Sequence, residues 1–229
     1  MLIHPTHPSC VLVLEQDMAD EPNHPVLDGA MDKLRAVFRW AREYLCRPHP
    51  ESGRKGPVCP FVQGALERKT FFLGVLRGTD LKPADLDETM VVYRDWFREL
   101  PPTSGPAAQF KTILVTLPDA PPDKVNAIVD DTQRRLKPKF VSDGLMIGEF
   151  HDGPPNKGGL WNADFRPLRS PVPLLPIRHM VPSDFPFLAD DREFLSSYLQ
   201  RFGDAVPAAL RSRVAEAARA FGLTVPSQP

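Results

Sequence analysis

Two predicted strands, each followed by an amphipathic helix, constrain the fold of this chain most strongly. Residues 70–76 (TFFLGVL) are apolar throughout, which is typical of a strand buried on both faces, and residues 110–117 predict a second strand. The segments 80–100 and 123–136 repeat apolar side chains every three or four residues, as a helix with one buried face does. With a third strand predicted at 145–150, the order strand–helix–strand–helix–strand indicates a sheet covered by helices.

The remaining predicted elements complete an α+β fold class. A helix is predicted at 28–46, before the first of these strands. A fourth strand at 174–181 contains Pro176, which favours an edge or bulge position because proline has no amide hydrogen to donate. Two helices, at 183–202 and 206–221, close the chain. The prediction is a mixed β-sheet with a βαβαβ series, helices packed on the sheet, a proline-rich rim and two C-terminal helices.

One domain preceded by an arm is the predicted organisation. Residues 1–27 carry prolines and histidines around one apolar run, and they predict an extended N-terminal arm with one strand. Residues 28–229 show no internal repeat and no sharp boundary, which predicts a single α+β domain. The amphipathic C-terminal helices could pack on a twin subunit in a homodimer or within the chain, and the sequence does not distinguish the two.

Composition narrows the class of protein. The 229 residues are 42% hydrophobic and 25% charged, which is ordinary for a globular protein with a substantial core. A net charge of −1 without a basic block argues against a nucleic-acid partner. No apolar run approaches the ~18 residues of a membrane span. Three cysteines without framework spacing predict a reducing, cytoplasmic location.

Residues 144–187 are the strongest candidate for a binding site. They contain eight prolines, yet they also contain the Leu, Ile, Met, Phe and Trp that a disordered linker would lack. We therefore predict an ordered, irregular wall that holds polar groups at set positions beside apolar ones. Such a wall is typical of a pocket for a small molecule.

Two histidines of this stretch are candidates for chemistry. His151 follows the third predicted strand on the same side as Glu149; because such neighbours lie about 7 Å apart, the two could act as an acid–base pair only on a bent backbone. A surface histidine is the alternative. His179 shares the apolar side of the fourth strand with Ile177 and Val181. A neutral imidazole there is either a hydrogen-bonded core residue or a ligand for haem iron.

Arg166 and Arg169 are candidates for holding a carboxylate. In a polyproline-like segment, with three residues per turn, both would lie on one face. Two guanidinium groups there could bind a haem propionate or a substrate carboxylate in bidentate geometry. Salt bridges to the acidic helices are the alternative. Trp161 would supply an apolar wall beside this charge, as small-molecule pockets have.

Cys59 stands in a Val-Cys-Pro-Phe turn and is a candidate iron ligand or nucleophile. The proline that follows it has no amide hydrogen, and the rigid turn can present the sulfur atom. A small buried cysteine is the alternative. Cys46, His49 and Cys59 also form three possible zinc ligands, although a closed structural zinc site needs a fourth.

Four sequence blocks carry a resemblance to known proteins. They are HP…GRKGPVCPF within 49–61, MIGEFH at 146–151, FRPLRSPVP at 165–173 and IRHMV at 177–181. The chain resembles, over roughly residues 30–200, a family of uncharacterised bacterial proteins that are often encoded near specialised-metabolite genes. Its α+β layout and early proline–cysteine element are more remotely similar to haem-dependent amino-acid N-hydroxylases.

The gathering of an inward-facing histidine, an arginine pair and an aromatic wall in residues 144–187, together with this remote similarity, favours a haem-binding, oxygenase-like enzyme that acts on a small, amino-acid-derived substrate. We expect His179, His151 or Cys59 to bind the iron, and Arg166 and Arg169 to hold the propionates or the substrate. Two alternatives stay open. One is a non-catalytic module that binds a small molecule or a partner, and the other is a cofactor-free acid–base enzyme built on His151.

Overall fold

The structure is a computed structural model that describes residues 1–20, 22–53, 55–154, 162, 165 and 169–225. The strands within these residues are β1 (Leu2–Ile3), β2 (Val11–Val13), β3 (Phe71–Val75), β4 (Thr112–Thr116), β5 (Leu145–Ile147) and β6 (Leu174–His179). They form one mixed sheet in the order β1-β2-β3-β4-β6-β5. The predicted α+β class is confirmed.

The direction of the strands follows from the two helical crossovers. β3 and β4 are parallel neighbours, and β6 is antiparallel to both β4 and β5. Consequently β3, β4 and β5 all point the same way, and their carboxyl ends share one edge of the sheet. The loops that follow strands at such an edge commonly carry functional residues.

Helices cover both faces of the sheet. They are α1 (Met31–Trp40, continued by a π-helical turn at Ala41–Leu45), α2 (Val62–Glu67), α3 (Pro83–Glu99), α4 (Asp131–Ser142, preceded by a π-helical turn at Asn126–Asp130), α5 (Arg192–Phe202) and α6 (Arg211–Ala220). On one face, α3 and α4 pack against side chains such as Ile113 and Ile177. On the other, α1 and α2 pack against Leu73, Leu114 and their neighbours. Alternating strand side chains thus enter two separate cores.

Residues 1–27, predicted as an extended arm with one strand, belong to the same sheet. They supply β1 and β2, and β2 pairs antiparallel with β3. Val11, Leu12 and Val13 are all 0% exposed, so this segment contributes to both cores. The segment is therefore an integral part of the domain.

The prediction that Pro176 marks an edge or bulge is wrong, because β6 lies between β4 and β5. Pro176 pairs with Leu114 on one side. On the other side its carbonyl accepts the amide of Gly148 at 3.1 Å, so its missing amide hydrogen faces the residue just after β5 ends. A Cβ atom on Gly148 would lie 3.0 Å from the Pro176 ring, so the glycine leaves room for the proline. Only one ladder bond is lost, at the end of β5.

Two helix boundaries also differ from the sequence prediction. The sequence predicts that Pro138 ends its helix, but α4 continues through Pro138 to Ser142. Phe140 and Val141 are 0% and 1% exposed, and their burial offsets the roughly 3 kcal/mol that an internal proline costs. The helix predicted at 183–202 is instead a 3₁₀ segment at Pro182–Phe187 followed by α5, whose N-terminus is capped by the Asp191 carboxylate.

The C-terminal helices bury their apolar faces within the chain. Leu195, Tyr198 and Leu199 of α5 form a third core with Val214 and Ala218 of α6. Intramolecular packing therefore accounts for the amphipathic pattern, and a homodimer stays a prediction. Within the described part of the chain, no helix combines the length and the apolar character that crossing a membrane requires.

Candidate functional site

An open groove of about 540 Å³ lies where β5 ends and β6 begins. We call it the aromatic groove, and its lining comprises Trp40, Tyr44, His49, Glu51, Asp152, Phe165, Arg169, Ser170 and Pro171. Its volume falls within the range of small-molecule pockets, about 300–1,000 Å³. Most of these residues lie in or beside the sequence blocks 49–61 and 165–173.

Four rings line the aromatic groove as a continuous series. Trp40 and Tyr44 stack with their centroids 6.2 Å apart, since residues four apart on a helix lie on the same face. Tyr44 meets the His49 ring edge-on at 5.7 Å, and His49 lies 5.0 Å from Phe165. The centroid of the Phe150 ring lies 5.7 Å from that of Trp40, so this wall packs against a residue that follows β5.

Hydrogen-bond donors accompany these rings. Burial raises the pKa of the Tyr44 phenol, and the Arg169 guanidinium opposes that rise, which places a positive charge near the hydroxyl group. The Nδ1 atom of His49 accepts the amide of Glu51 at 3.2 Å. A neutral His49 therefore carries its proton on Nε2. Arg169, Tyr44 and His49 together offer three donors to an anion.

The backbone fixes Arg169 to the sheet. Arg169 forms a parallel bridge with His151, and the Ser170 amide donates to the His151 carbonyl at 3.1 Å. Leu174 and Phe150 then exchange amide–carbonyl bonds of 2.8 and 3.0 Å as β6 begins. Arg169 itself is exposed and has no ion pair with any acidic residue that the structure describes. It is a positioned cation that remains available to a ligand.

His151 lies on the opposite face of the sheet from the aromatic groove. It is 2% exposed, and its Nε2 atom lies 2.9 Å from Oδ1 of Asp130, in the turn that precedes α4. Its Nδ1 atom accepts the Gly153 amide at 3.1 Å. Both ring nitrogens are thus engaged, and the hydrogen bond from Gly153 places the proton on Nε2.

Asp130, and not Glu149, orients His151. Glu149 is 2% exposed and lies two residues before His151, in the segment that follows β5. The apolar stripe of the predicted helix at 123–136 does not identify Asp130 as a functional residue. A signal existed, since Asp130 directly follows the buried residues Ile128 and Val129.

His179 lies at the other end of β6 from Arg169, on the α3 side. Its ring is 4.9 Å from that of Phe97, and the ammonium group of Lys111 lies 4.4 Å from the same Phe97 ring. Burial, followed by the charge of Lys111, lowers the pKa of His179 to about 4. The buried Nε2 atom has no hydrogen-bond partner among the described residues. His179 is therefore a neutral imidazole near pH 7, and its role as an iron ligand stays a prediction.

Lys111 caps the end of α3. Its ammonium group is buried and donates to the carbonyl of Phe97 at 2.7 Å and to that of Leu100. Burial lowers the pKa of Lys111 to about 8. These bonds satisfy the last carbonyls of a helix, which gives Lys111 a structural role.

Cys59 lines a separate cavity of about 100 Å³ on the α1 side of the sheet, together with Arg178. Arg178 is held by Asp184 through two bonds of 2.7 and 2.6 Å. Cys59 is partly buried. The other two predicted residues, Trp161 and Arg166, lie outside the described residues, so the pairing of Arg166 with Arg169 stays a prediction.

The three predicted iron ligands do not come together. His151 has both nitrogens engaged, His179 lies beside the Lys111 ammonium, and Cys59 lines a cavity far smaller than a typical ligand pocket. The three alternative ligands therefore lie in three different places, and haem binding by any one of them stays a prediction. Within the described residues, no three His, Cys, Asp or Glu side chains gather as a metal-binding group.

A larger opening, of about 700 Å³, lies at the start of α1, but its chemistry is less specific. His24 uses its Nδ1 atom to cap the Val26 amide at 3.3 Å, and Arg35 pairs with Asp32 at 3.0 Å. The polar groups of that opening thus serve local structure, and the aromatic groove is the better candidate.

The fold and the site define the class of this protein: it is an α+β domain with an aromatic groove at one edge of the sheet, and the groove carries an arginine. The chain belongs to the family described as Domain of unknown function (DUF6875), which it matches over residues 34–213. That span contains every residue of the aromatic groove. No curated protein and no solved structure matches the chain. The predicted membership of an uncharacterised family is confirmed.

Proposed function

We propose that the protein binds a small organic carboxylate in the aromatic groove, with Arg169 as the anion-binding group. The observation that carries the proposal is an exposed arginine, held by the sheet, that has no acidic partner among the described residues and lies near the Tyr44 hydroxyl. A guanidinium binds a carboxylate through two parallel hydrogen bonds. Tyr44 and His49 can donate to the same anion.

The other charges of the groove favour a zwitterion of the amino-acid type. Glu51 and Asp152 also line the groove, and their charge is opposite to that of Arg169. Both carboxylates can accept hydrogen bonds from an ammonium group. The faces of Trp40 and Tyr44 attract a cation as well. A ligand with a carboxylate, an ammonium group and an apolar side chain would therefore use every part of the lining.

A thermal-shift panel tests this proposal. The twenty common amino acids are compared with simple carboxylates and with amino-acid amides, which lack the carboxylate. We expect aromatic or long apolar amino acids to raise the melting temperature of the native protein, and Arg169→Gln to abolish the shift. Arg219→Gln, on the exposed side of α6, is the control and should leave it intact. The proposal fails if no carboxylate in the panel raises the melting temperature, or if Arg169→Gln responds as the native protein does.

Haem-dependent oxygenase chemistry on such a molecule, in specialised metabolism, stays a prediction of the sequence resemblance. His179 supports it most, because its neutral Nε2 atom has no hydrogen-bond partner in the described part of the chain. Titration of the purified protein with haemin checks it. A stoichiometric Soret band that His179→Ala abolishes would support the prediction, and the absence of any band would contradict it. Carboxylate binding in the groove does not depend on haem.

A further inference from the structure

Two cysteines face each other across a short antiparallel pairing that precedes α2. Pro48 and Pro57 form an antiparallel bridge, and the Val58 amide donates to the Arg47 carbonyl at 2.8 Å. Arg47 is thus opposite Val58, and the same register, continued by one residue on each segment, sets Cys46 opposite Cys59. Both cysteines are free and partly buried.

The hydrogen bonds bring these two residues within reach of a disulfide. The Cys59 amide donates to the Leu45 carbonyl at 2.9 Å, and the carbon of that carbonyl is bonded directly to the Cys46 nitrogen. This hydrogen bond sets the Cys59 backbone beside that of Cys46, as a disulfide requires, since its two Cα atoms lie about 4.4–6.8 Å apart. Both side chains also pack against the same apolar core, beneath α1 and α2.

We propose that Cys46 and Cys59 are a redox-sensitive pair that a peroxide oxidises to an intramolecular disulfide. The Cys59 thiolate attacks one oxygen of hydrogen peroxide, the O–O bond breaks, and a sulfenic acid forms as hydroxide leaves and takes up a proton to become water. The Cys46 sulfur then attacks the Cys59 sulfur, the S–O bond breaks, and the second water leaves with the Cys46 proton. Two thiols and one peroxide thus give one disulfide and two waters.

The surroundings assign the order of the two cysteines. Cys59 lines a cavity together with Arg178, whose guanidinium pairs with Asp184, so Cys59 borders a space that a peroxide can enter. Burial raises the pKa of the Cys46 thiol, and the neighbouring Cys59 raises it further. Cys59 is therefore the residue that reacts first, and Cys46 resolves it.

The pair is placed where it can affect the aromatic groove. Cys46 lies between Tyr44, which is part of the groove wall, and His49, which donates into it. A disulfide would restrain the turn that connects them. This consequence rests on the proposed ligand binding, whereas formation of the disulfide does not, so the two can fail independently.

Intact-mass and peptide mass spectrometry after treatment with hydrogen peroxide test the pair. We expect the loss of two hydrogen atoms and a tryptic species that joins the peptides of Cys46 and Cys59, which cleavage after Lys55 separates in the reduced chain. The reductant dithiothreitol should reverse both changes. Cys10, which is 5% exposed, is the internal control and should remain a free thiol.

Single serine variants test the order of reaction. In Cys46→Ser, dimedone should trap a sulfenic acid at Cys59, and in Cys59→Ser, Cys46 should react at least about tenfold more slowly. The proposal is overturned if the native protein shows no mass loss, if the disulfide includes Cys10, or if Cys46 is the residue that dimedone labels first.

Discussion

Replacement of Asp130 by asparagine is expected to cost little stability, whereas replacement by alanine should cost much more. The reason is the protonation of His151. Gly153 donates its amide to Nδ1 of His151 at 3.1 Å, so the neutral ring presents an Nε2–H group to Asp130 at 2.9 Å. The side-chain carbonyl of an asparagine can accept that hydrogen in the same place.

The magnitudes follow from the burial of the pair. Asp130 and His151 are 7% and 2% exposed. Asp130→Asn exchanges a charged acceptor for a neutral one, which lowers the free energy of unfolding by about 1 kcal/mol. Asp130→Ala leaves the buried Nε2–H without an acceptor, and it should lower the free energy of unfolding by about 2–3 kcal/mol.

Urea unfolding followed by tryptophan fluorescence near pH 7.5 measures both values. Asp131→Ala is the matched control, because Asp131 pairs with Arg134 at the surface, and it should change stability by less than about 0.5 kcal/mol. Equal losses for Asp130→Asn and Asp130→Ala would mean that His151 is a cation paired with a carboxylate. That result would refute the assignment of the proton to Nε2 of a neutral His151.

Three further predictions concern single elements of the fold. The pKa of His179 is lowered to about 4, so between about pH 4 and about 6.5 the unfolded state binds more protons than the folded state. The free energy of unfolding should therefore fall by about 1–2 kcal/mol as the pH drops through this window, and its dependence on pH should be weaker in His179→Asn. In Gly74→Ala, the new Cβ would lie 2.9 Å from the Tyr93 ring, which should cost about 1–3 kcal/mol in urea unfolding, and a second change, Tyr93→Leu, should recover part of it. Asp184→Ala removes both bonds to Arg178 and the acceptor of the Val181 amide, and it should lower the free energy of unfolding by about 3 kcal/mol. A loss below about 1 kcal/mol would contradict a pair whose carboxylate is buried.

Local patterns predict the elements of this fold better than they predict its pairings. The apolar run at 70–76 and the periodic segment at 80–100 correspond to β3 and α3 because each pattern reports its own burial. The position of β6 between β4 and β5 depends on contacts between residues far apart in sequence. No local rule could show that the nitrogen of Pro176, which has no hydrogen to donate, would face the end of a neighbouring strand, where only one ladder bond is lost.

The sequence predicts a site near residues 144–187, but it does not predict which side chains line the aromatic groove. Strand parity places His179 on the apolar side of its strand and His151 on the same side as Glu149. It does not say which helix covers each face or which end of a strand meets a groove. Trp40 and Tyr44 escaped notice because α1 was analysed by its core stripe. An aromatic pair four residues apart, beside that stripe, is the signal that could have identified the groove wall.

The most direct test of the central claim is calorimetric titration of the protein with L-phenylalanine and with L-phenylalaninamide, which lacks the carboxylate. The aromatic groove predicts that the acid binds more tightly than the amide by about 10- to 100-fold, and that Arg169→Gln removes this preference. Equal affinities for the two compounds, or an unchanged preference in Arg169→Gln, would contradict Arg169 as the group that holds a carboxylate.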